Sequence, residues 1–205
     1  MSSVVTPFSM FLIRSSIPAS YIPPAPAEWT IIYSSASSGM STSRFESCVF
    51  GYKGRTLTII RASTGTYVIG VDQEWRHSAS PFGGADSFLL KLSPSPITRF
   101  TGSGNLFCNL KMRSSKMGLS WKNRVLELDK DLSQVQEMEV WACGAASYLE
   151  EHAKLKQWQQ NQTERHKKVP LPGNWDDNVD KTILEMAGFQ FSNERKNDRP
   201  DDSTR

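Results

Sequence analysis

The chain has 205 residues, 38% of them hydrophobic, with a formal net charge of +3. That length suffices for one well-buried core, and the charge is too small to argue for a nucleic-acid partner. No apolar run approaches the roughly 20 residues that span a bilayer. The run from Phe8 to Ile13 is interrupted by Ser9 and has no basic segment ahead of it, so a signal peptide is not expected. Ser2 stands where N-myristoylation needs glycine. The three cysteines, Cys48, Cys108 and Cys143, are odd in number and form no CxxC motif, which argues against a disulfide framework or a zinc site. They read as half-buried thiols of a reducing compartment. The Asn161-Gln162-Thr163 sequon falls on a predicted helix and is discounted.

The first seven residues look loose, and Phe8 to Ser16 reads as an edge strand leading in. Pro18, Pro23, Pro24 and Pro26 then mark an extended linker. Trp29 to Ser35 is the first clear strand, with Trp29, Ile31 and Tyr33 on one face. Phe45 to Phe50 reads as a short helix. Arg55 to Arg61 and Thr66 to Asp72 flank Ala62-Ser63-Thr64-Gly65 and predict a hairpin. Further strands are expected over Asp86 to Leu92, Asn105 to Lys111, Arg124 to Leu128 and Val135 to Trp141, separated by glycine-rich turns. Short strands with closely spaced turn signals favour an antiparallel β-sandwich. The expected core contains Trp29, Ile31, Leu57, Ile59, Phe88 and Val140.

After Gly144 the texture becomes helical. Ser147 to Lys168 predicts one long helix of about 30 Å, with Ser147 and Glu150 as an S-x-x-E capping box. Glu150 with Lys154 and Glu164 with Lys168 supply i,i+4 ion pairs. Pro170 and Pro172 end it. A shorter helix fits Asp180 to Ala187, stopped by Gly188, and the chain beyond Phe191 is polar enough to be disordered. The expected organisation is a lead-in over 1–28, the sandwich over 29–144, a helical extension over 145–191 and a tail over 192–205.

Nothing in the sequence assembles a catalytic set. An enzyme needs a nucleophile, a base and an anion hole in one pocket, and no HExxH, GxSxG, P-loop or GxGxxG pattern occurs in a fitting context. His152 and His166 fall on the polar helix and read as solvated, and His77 reads as a loop histidine. Cys143 precedes a helix N-terminus, where a thiol pKa can fall, but it reads first as a packed thiol. No enzyme activity, cofactor or metal is expected. The long helix is more informative: Tyr148, Leu155 and Trp158 form a thin apolar stripe. A helix that only capped a sandwich would carry a wider one, and an exposed tryptophan suits docking into a partner groove. Tyr148, Leu155 and Trp158, with Arg165 near the helix end, are therefore candidate partner-binding residues. Packing of the stripe on its own domain is the alternative.

Trp29-Thr30-Ile31-Ile32-Tyr33-Ser34-Ser35 with Gly39, the Gly54-to-Ile60 strand with Gly65 and Gly70, and Phe82-Gly83 with Asp86-Ser87-Phe88-Leu89-Leu90 resemble successive segments of TLDc domains. So do Thr101-Gly102 with Asn105-Leu106-Phe107, Leu128-Asp129-Lys130-Asp131-Leu132, and Met138-Glu139-Val140-Trp141. The resemblance implies a mainly β (α+β) fold, a two-sheet antiparallel sandwich with peripheral helices. Cys143-Gly144, the long helix and Gly173-Asn174-Trp175 are similar to a subgroup holding the lysosomal mTOR-associated TLDc protein and the fungal restriction-of-telomere-capping proteins. The chain departs from the family at Ser38, where histidine is common, and at Lys116 to Trp121, which lacks the usual glycines. It also lacks the EF-hand-like region common ahead of the domain, as expected of a short isoform, a fragment or a reduced homologue.

The resemblance further implies a non-catalytic protein–protein adaptor that binds the cytosolic, peripheral-sector subunits of the vacuolar proton pump (V-ATPase). Its expected place is the cytoplasm, peripheral at the lysosome or vacuole membrane, with a link to mTOR signalling. The alternative it carries is an oxidative-stress protein with weak or indirect redox activity. TLDc domains generally place an acidic residue at the position of Glu139. That makes Glu139 a further partner-binding candidate, either in a buried polar network or facing outward from the last strand.

Overall fold

The computed structural model of the chain describes residues 2–23, 28–93, 97–112, 116–167, 183, 184 and 186–188. The chain divides into two compact units, residues 1–158 and residues 159–205. In chain order the first unit contains helix α1 (Pro7–Ser16), strand β1 (Thr30–Ser34) and helices α2 (Ser35–Ser38) and α3 (Thr42–Val49). Strands β2 (Thr56–Ala62), β3 (Gly65–Val71), β4 (Phe88–Ser93) and β5 (Thr98–Thr101) follow. Next come β6 (Leu106–Asn109), β7 (Gly118–Trp121), β8 (Leu126–Leu128) and β9 (Val135–Ala142), and helix α4 (Ala146–Lys167) begins in this unit.

The strands make two antiparallel sheets. One has six strands in the order β1-β9-β2-β3-β4-β5, and the other has three in the order β6-β7-β8. Alternation along the strands of the larger sheet divides its side chains between two cores. Ile60, Ile69, Leu89, Met138 and Val140 pack with Leu106, Leu119, Trp121 and Leu128 of the smaller sheet. Leu57, Ile59, Val68, Phe88 and Trp141 pack instead with Val4, Ile13, Ile17 and Tyr21 of the N-terminal segment. The expected sandwich is present, and the N-terminal segment adds a layer on the far face of its larger sheet.

That layer corrects two expectations. Residues 8–16 are helical, not an edge strand: Thr6 caps α1 by accepting from the Ser9 N–H, and Pro7 stands in the first turn, where its missing N–H costs nothing. The first residues are also anchored, with Val4 fully buried. Pro18 precedes a 3-10 turn, Ala19–Tyr21. Its Tyr21 ring meets Phe88 edge-to-face at 5.1 Å. Pro24 and Pro26 lie outside the described residues.

The hairpin and the closing strand form as expected. Ala62 pairs with Gly65 at the hairpin tip, and Gly65 takes a φ of 139° that side chains disfavour. Leu57, Ile59, Phe88 and Val140 are buried. Trp29 is half-buried against the N-terminal layer, whereas Ile31 is 39% exposed. The cause is a register shift on β1 between Ile31 and Tyr33, which breaks the simple alternation on which the expectation rested. Strands β5 and β7, each four residues long, are too short for alternation to announce.

In the second unit, residues 183, 184 and 186 are helical and Gly188 takes a φ of 91°, in keeping with a short helix stopped by that glycine. Pro170, Pro172, Gly173 to Trp175 and the polar tail lie outside the described residues.

If the N-terminal layer is part of the core, truncating its buried anchor should be expensive. Ile13→Ala should cost about 2–5 kcal/mol in urea unfolding, because Ile13 is fully buried. Phe11→Ala, at a position 66% exposed, should change stability by about 0.5 kcal/mol or less.

Candidate functional site

Helix α4 begins at Ala146, so Ser147 lies inside the first turn and does not cap it from outside, as the S-x-x-E pattern suggested. One face of the helix grips the short segment that follows α3. Tyr52 Oη accepts from the Gly144 N–H at 3.1 Å. The Tyr52 ring meets Tyr148 edge-on at 6.4 Å and His152 at 5.7 Å. Lys156 Nζ donates to the Phe50 carbonyl at 2.7 Å. Leu155 closes over Gly51, whose φ is 90°. A Cβ at Gly51 would stand 2.6 Å from Leu155 Cδ2, so a side chain there would push Leu155 aside, and the backbone conformation favours glycine.

Residues 148, 152, 155 and 156 share one helical face, and this spacing explains how the candidate stripe divides. Tyr148 is 39% exposed and Leu155 half-buried, both turned toward the domain. Trp158 is 60% exposed, and Arg165 is exposed. His152 is buried, against the expectation of a solvated residue, because it sits one turn from Tyr148 beneath the Tyr52 ring. Lys156 lays its stem along the same face and delivers its ammonium to a carbonyl. His166 is helical, and its side chain lies outside the described residues.

Burial and the nearby Lys156 charge hold the His152 imidazole below its ordinary value of 6.5, against the opposing pull of the Phe50 backbone hydrogen bond and Glu74. Its Nε2 is buried without a hydrogen-bond partner among the described residues. Burial likewise lowers the Lys156 ammonium pKa.

Glu139 lies on β9, facing the N-terminal layer, and is 1% exposed. Oε1 accepts from the Ser3 backbone N–H and the Ser3 hydroxyl, each at 2.7 Å. Oε2 accepts from the Ser2 hydroxyl at 2.7 Å and from Trp141 Nε1 at 3.2 Å. Of the two readings left open by the sequence, this is the buried polar network, and its donors come from the same chain. Glu139 and α4 are therefore separate features: one holds the N-terminal segment, the other holds residues 50–52.

His77 is structural. Its Nδ1 accepts from the Leu110 N–H at 3.3 Å, and its Nε2 faces Glu46 Oε1 at 3.3 Å. Cys108 and Cys143 are buried, and burial pushes both thiols up to about 12. Cys143 thus misses the lowering that a helix N-terminus can give. Among the described residues no group of three or more His, Cys, Asp or Glu side chains is arranged to hold a metal. No described helix is long and apolar enough to cross a membrane.

Two antiparallel sheets packed face to face, with helices at the periphery, define a mainly β protein of the sandwich type. The family model for the TLDc domain matches residues 1–137, and the chain belongs to the TLDc family. Restriction of telomere capping protein 5 of Colletotrichum graminicola is 21% identical over 239 aligned positions, covering 77% of this chain and 39% of that protein. The protein of the same name in Pyrenophora tritici-repentis is 29% identical over 92 positions, 45% of this chain and 13% of that one. That of Kluyveromyces lactis is 39% identical over 55 positions, 27% of this chain and 9% of that one. The chain thus spans at most 39% of the length of these curated relatives, which are of the restriction-of-telomere-capping kind that its sequence resembles.

Two outcomes follow from the buried side chains. Because the folded-state pKa of His152 lies below the unfolded value, the unfolded chain takes up the proton first as pH drops. The stability of this region should therefore be full above about pH 6.5 and decline below it. Thermal unfolding compared at about pH 7.5 and 5.5 should show this loss, and His152→Leu should reduce it. In native protein at neutral pH, iodoacetamide should label half-buried Cys48 well before Cys108 or Cys143, as peptide mass spectrometry can read.

Proposed function

We propose that this chain is a non-catalytic interaction module that binds and regulates the cytosolic sector of the vacuolar proton pump at the lysosome or vacuole membrane. The pump as partner, the membrane location and a link to mTOR signalling rest on the family resemblance. The observation that supports a docking element is Trp158. It is 60% exposed, while the neighbouring face of the same helix is fixed to the domain through Tyr52, His152, Leu155 and Lys156. A helix held in this way and presenting an exposed tryptophan is a preorganised anchor, with little ordering cost left to meet on binding. The redox alternative draws less support, because the high pKa of two of the three thiols leaves little thiolate to react.

Binding of the purified chain to the purified soluble sector of the pump, followed by biolayer interferometry, tests this reading. Loss of a buried tryptophan anchor commonly costs about 2 kcal/mol or more, so Trp158→Ala should weaken binding more than about tenfold and leave the melting temperature nearly unchanged. Lys154→Ala, at an exposed position, should be neutral; Lys156 is no such control, since it ties the helix to Phe50. Absence of binding by the unaltered chain would sink the pump reading. If Trp158→Ala lowers the melting temperature and spares binding, α4 is not the docking element, and the loops at 38–41 and 81–85 take its place.

A further inference from the structure

We infer that Ser3 is a phosphorylation site, at which adding a phosphate releases residues 2–5 from the six-stranded sheet. Ser3 is exposed as a residue, yet its hydroxyl and its N–H both end on the carboxylate of Glu139, each at 2.7 Å. The rest of the strap depends on the same carboxylate. Ser2 Oγ donates to Glu139 Oε2 and in turn accepts from the N–H groups of Val4 and Val5, at 3.1 and 3.2 Å. Val4 is fully buried beside the apolar face that carries Leu57, Ile59 and Trp141, and the Arg61 guanidinium donates to its carbonyl. A short segment, in which Ser3 is exposed and Val4 buried, is therefore pinned to the fold through one buried carboxylate.

The modification needs a nucleoside triphosphate and a protein kinase. The Ser3 Oγ–P bond forms as the bond from the γ-phosphorus to its bridging oxygen breaks. The nucleoside diphosphate leaves, and the hydroxyl proton passes to the kinase's base. The product replaces a hydrogen-bond donor with a group of charge about −1.5 to −2, and that group meets a carboxylate with 1% exposure. The ester oxygen can no longer donate, and the phosphate repels a carboxylate that is itself shut off from water. Arg61 is already committed to Val4 and, at 2.7 Å, to Glu137. The strap leaves, and with it Val4, uncovering the Glu139 carboxylate and the apolar side chains around it. This inference stands independently of the pump reading.

Phosphoserine incorporated at position 3 of the full chain tests it, with Val4 methyl signals read by NMR in the presence of a soluble paramagnetic probe. In the unmodified protein these signals should be shielded. In the phosphorylated protein they should be lost to the probe while the signals of Ile60 and Ile69, in the other core, persist. Ser3→Ala should keep Val4 shielded, because the Ser3 N–H and Ser2 remain on Glu139. Glu139→Gln should restore shielding to the phosphorylated chain by removing one of the two charges. Should that variant fail to fold, the comparison of phosphoserine with Ser3→Ala decides alone. Continued shielding of Val4 in the phosphorylated chain, as by a clamp from Arg61, would overturn the inference. So would equal exposure of Val4 in Ser3→Ala, which would trace release to a lost hydrogen bond and not to charge.

Discussion

Strand β2 has no face toward solvent. Leu57 and Ile59 point to one core and Ile60 to the other, and even Thr56 and Thr58 are fully buried. A strand buried on both sides needs a cover on each, and the rest of the first unit supplies them: the three-stranded sheet with α3 on one side, residues 2–21 on the other. Of its two buried hydroxyls, Thr58 Oγ1 has no hydrogen-bond partner among the described residues, whereas Thr56 is met from within. Thr56 Oγ1 accepts from Trp75 Nε1 at 2.8 Å, which turns a buried hydroxyl and a buried indole into partners.

The neighbouring strand β9 carries the same constraint in a costlier form, because one of its inward residues is a carboxylate. Glu139 pairs in register with Ile59 and would be an isolated anion among apolar side chains without its donors. Ser2 and Ser3 of the cover supply most of those donors, and Trp141 of the same strand supplies the other. The N-terminal layer thus does two jobs, removing apolar surface from water and neutralising a polar defect that the sheet cannot satisfy alone. On the opposite side the cover is aromatic. Tyr33, Trp75 and Phe50 each meet Phe45 of α3 edge-to-face, and Trp75 also meets Phe82, a geometry in which ring edges and faces attract.

Local signals explain what was legible in the sequence. The β2–β3 hairpin is written in adjacent residues, β-branched runs around Ser63-Thr64-Gly65, and so is the length of α4. Strand β9 reads clearly from its composition. Helix α1 also had a signal in Thr6-Pro7, a cap followed by proline, but a short apolar run between prolines mimics a strand. What failed were features set at a distance. Whether Tyr148 and Leu155 face a partner or their own domain depends on residues 50–52, about 100 positions earlier, and no periodicity along the helix reports that. The same holds for Glu139, whose environment is decided by Ser2 and Ser3, and for Ile31, whose exposure follows from a bulge in an edge strand.

The order β1-β9-β2 bears on how the chain comes into being. Among the described strands the last, β9, is flanked by the first two, so β1 and β2 cannot be joined into one sheet until residues 135–142 exist. Every pairing in the β2–β3–β4–β5 portion links strands adjacent in sequence and can form during synthesis. The N-terminal segment, made before the sheets, has no Glu139 to bind until β9 has been made. Such non-local closure is entropically slow. Val4, Ile13 and Ile17, buried in the finished fold, therefore stay uncovered until β9 has been made, a window in which a chaperone or another nascent chain competes with the fold for them.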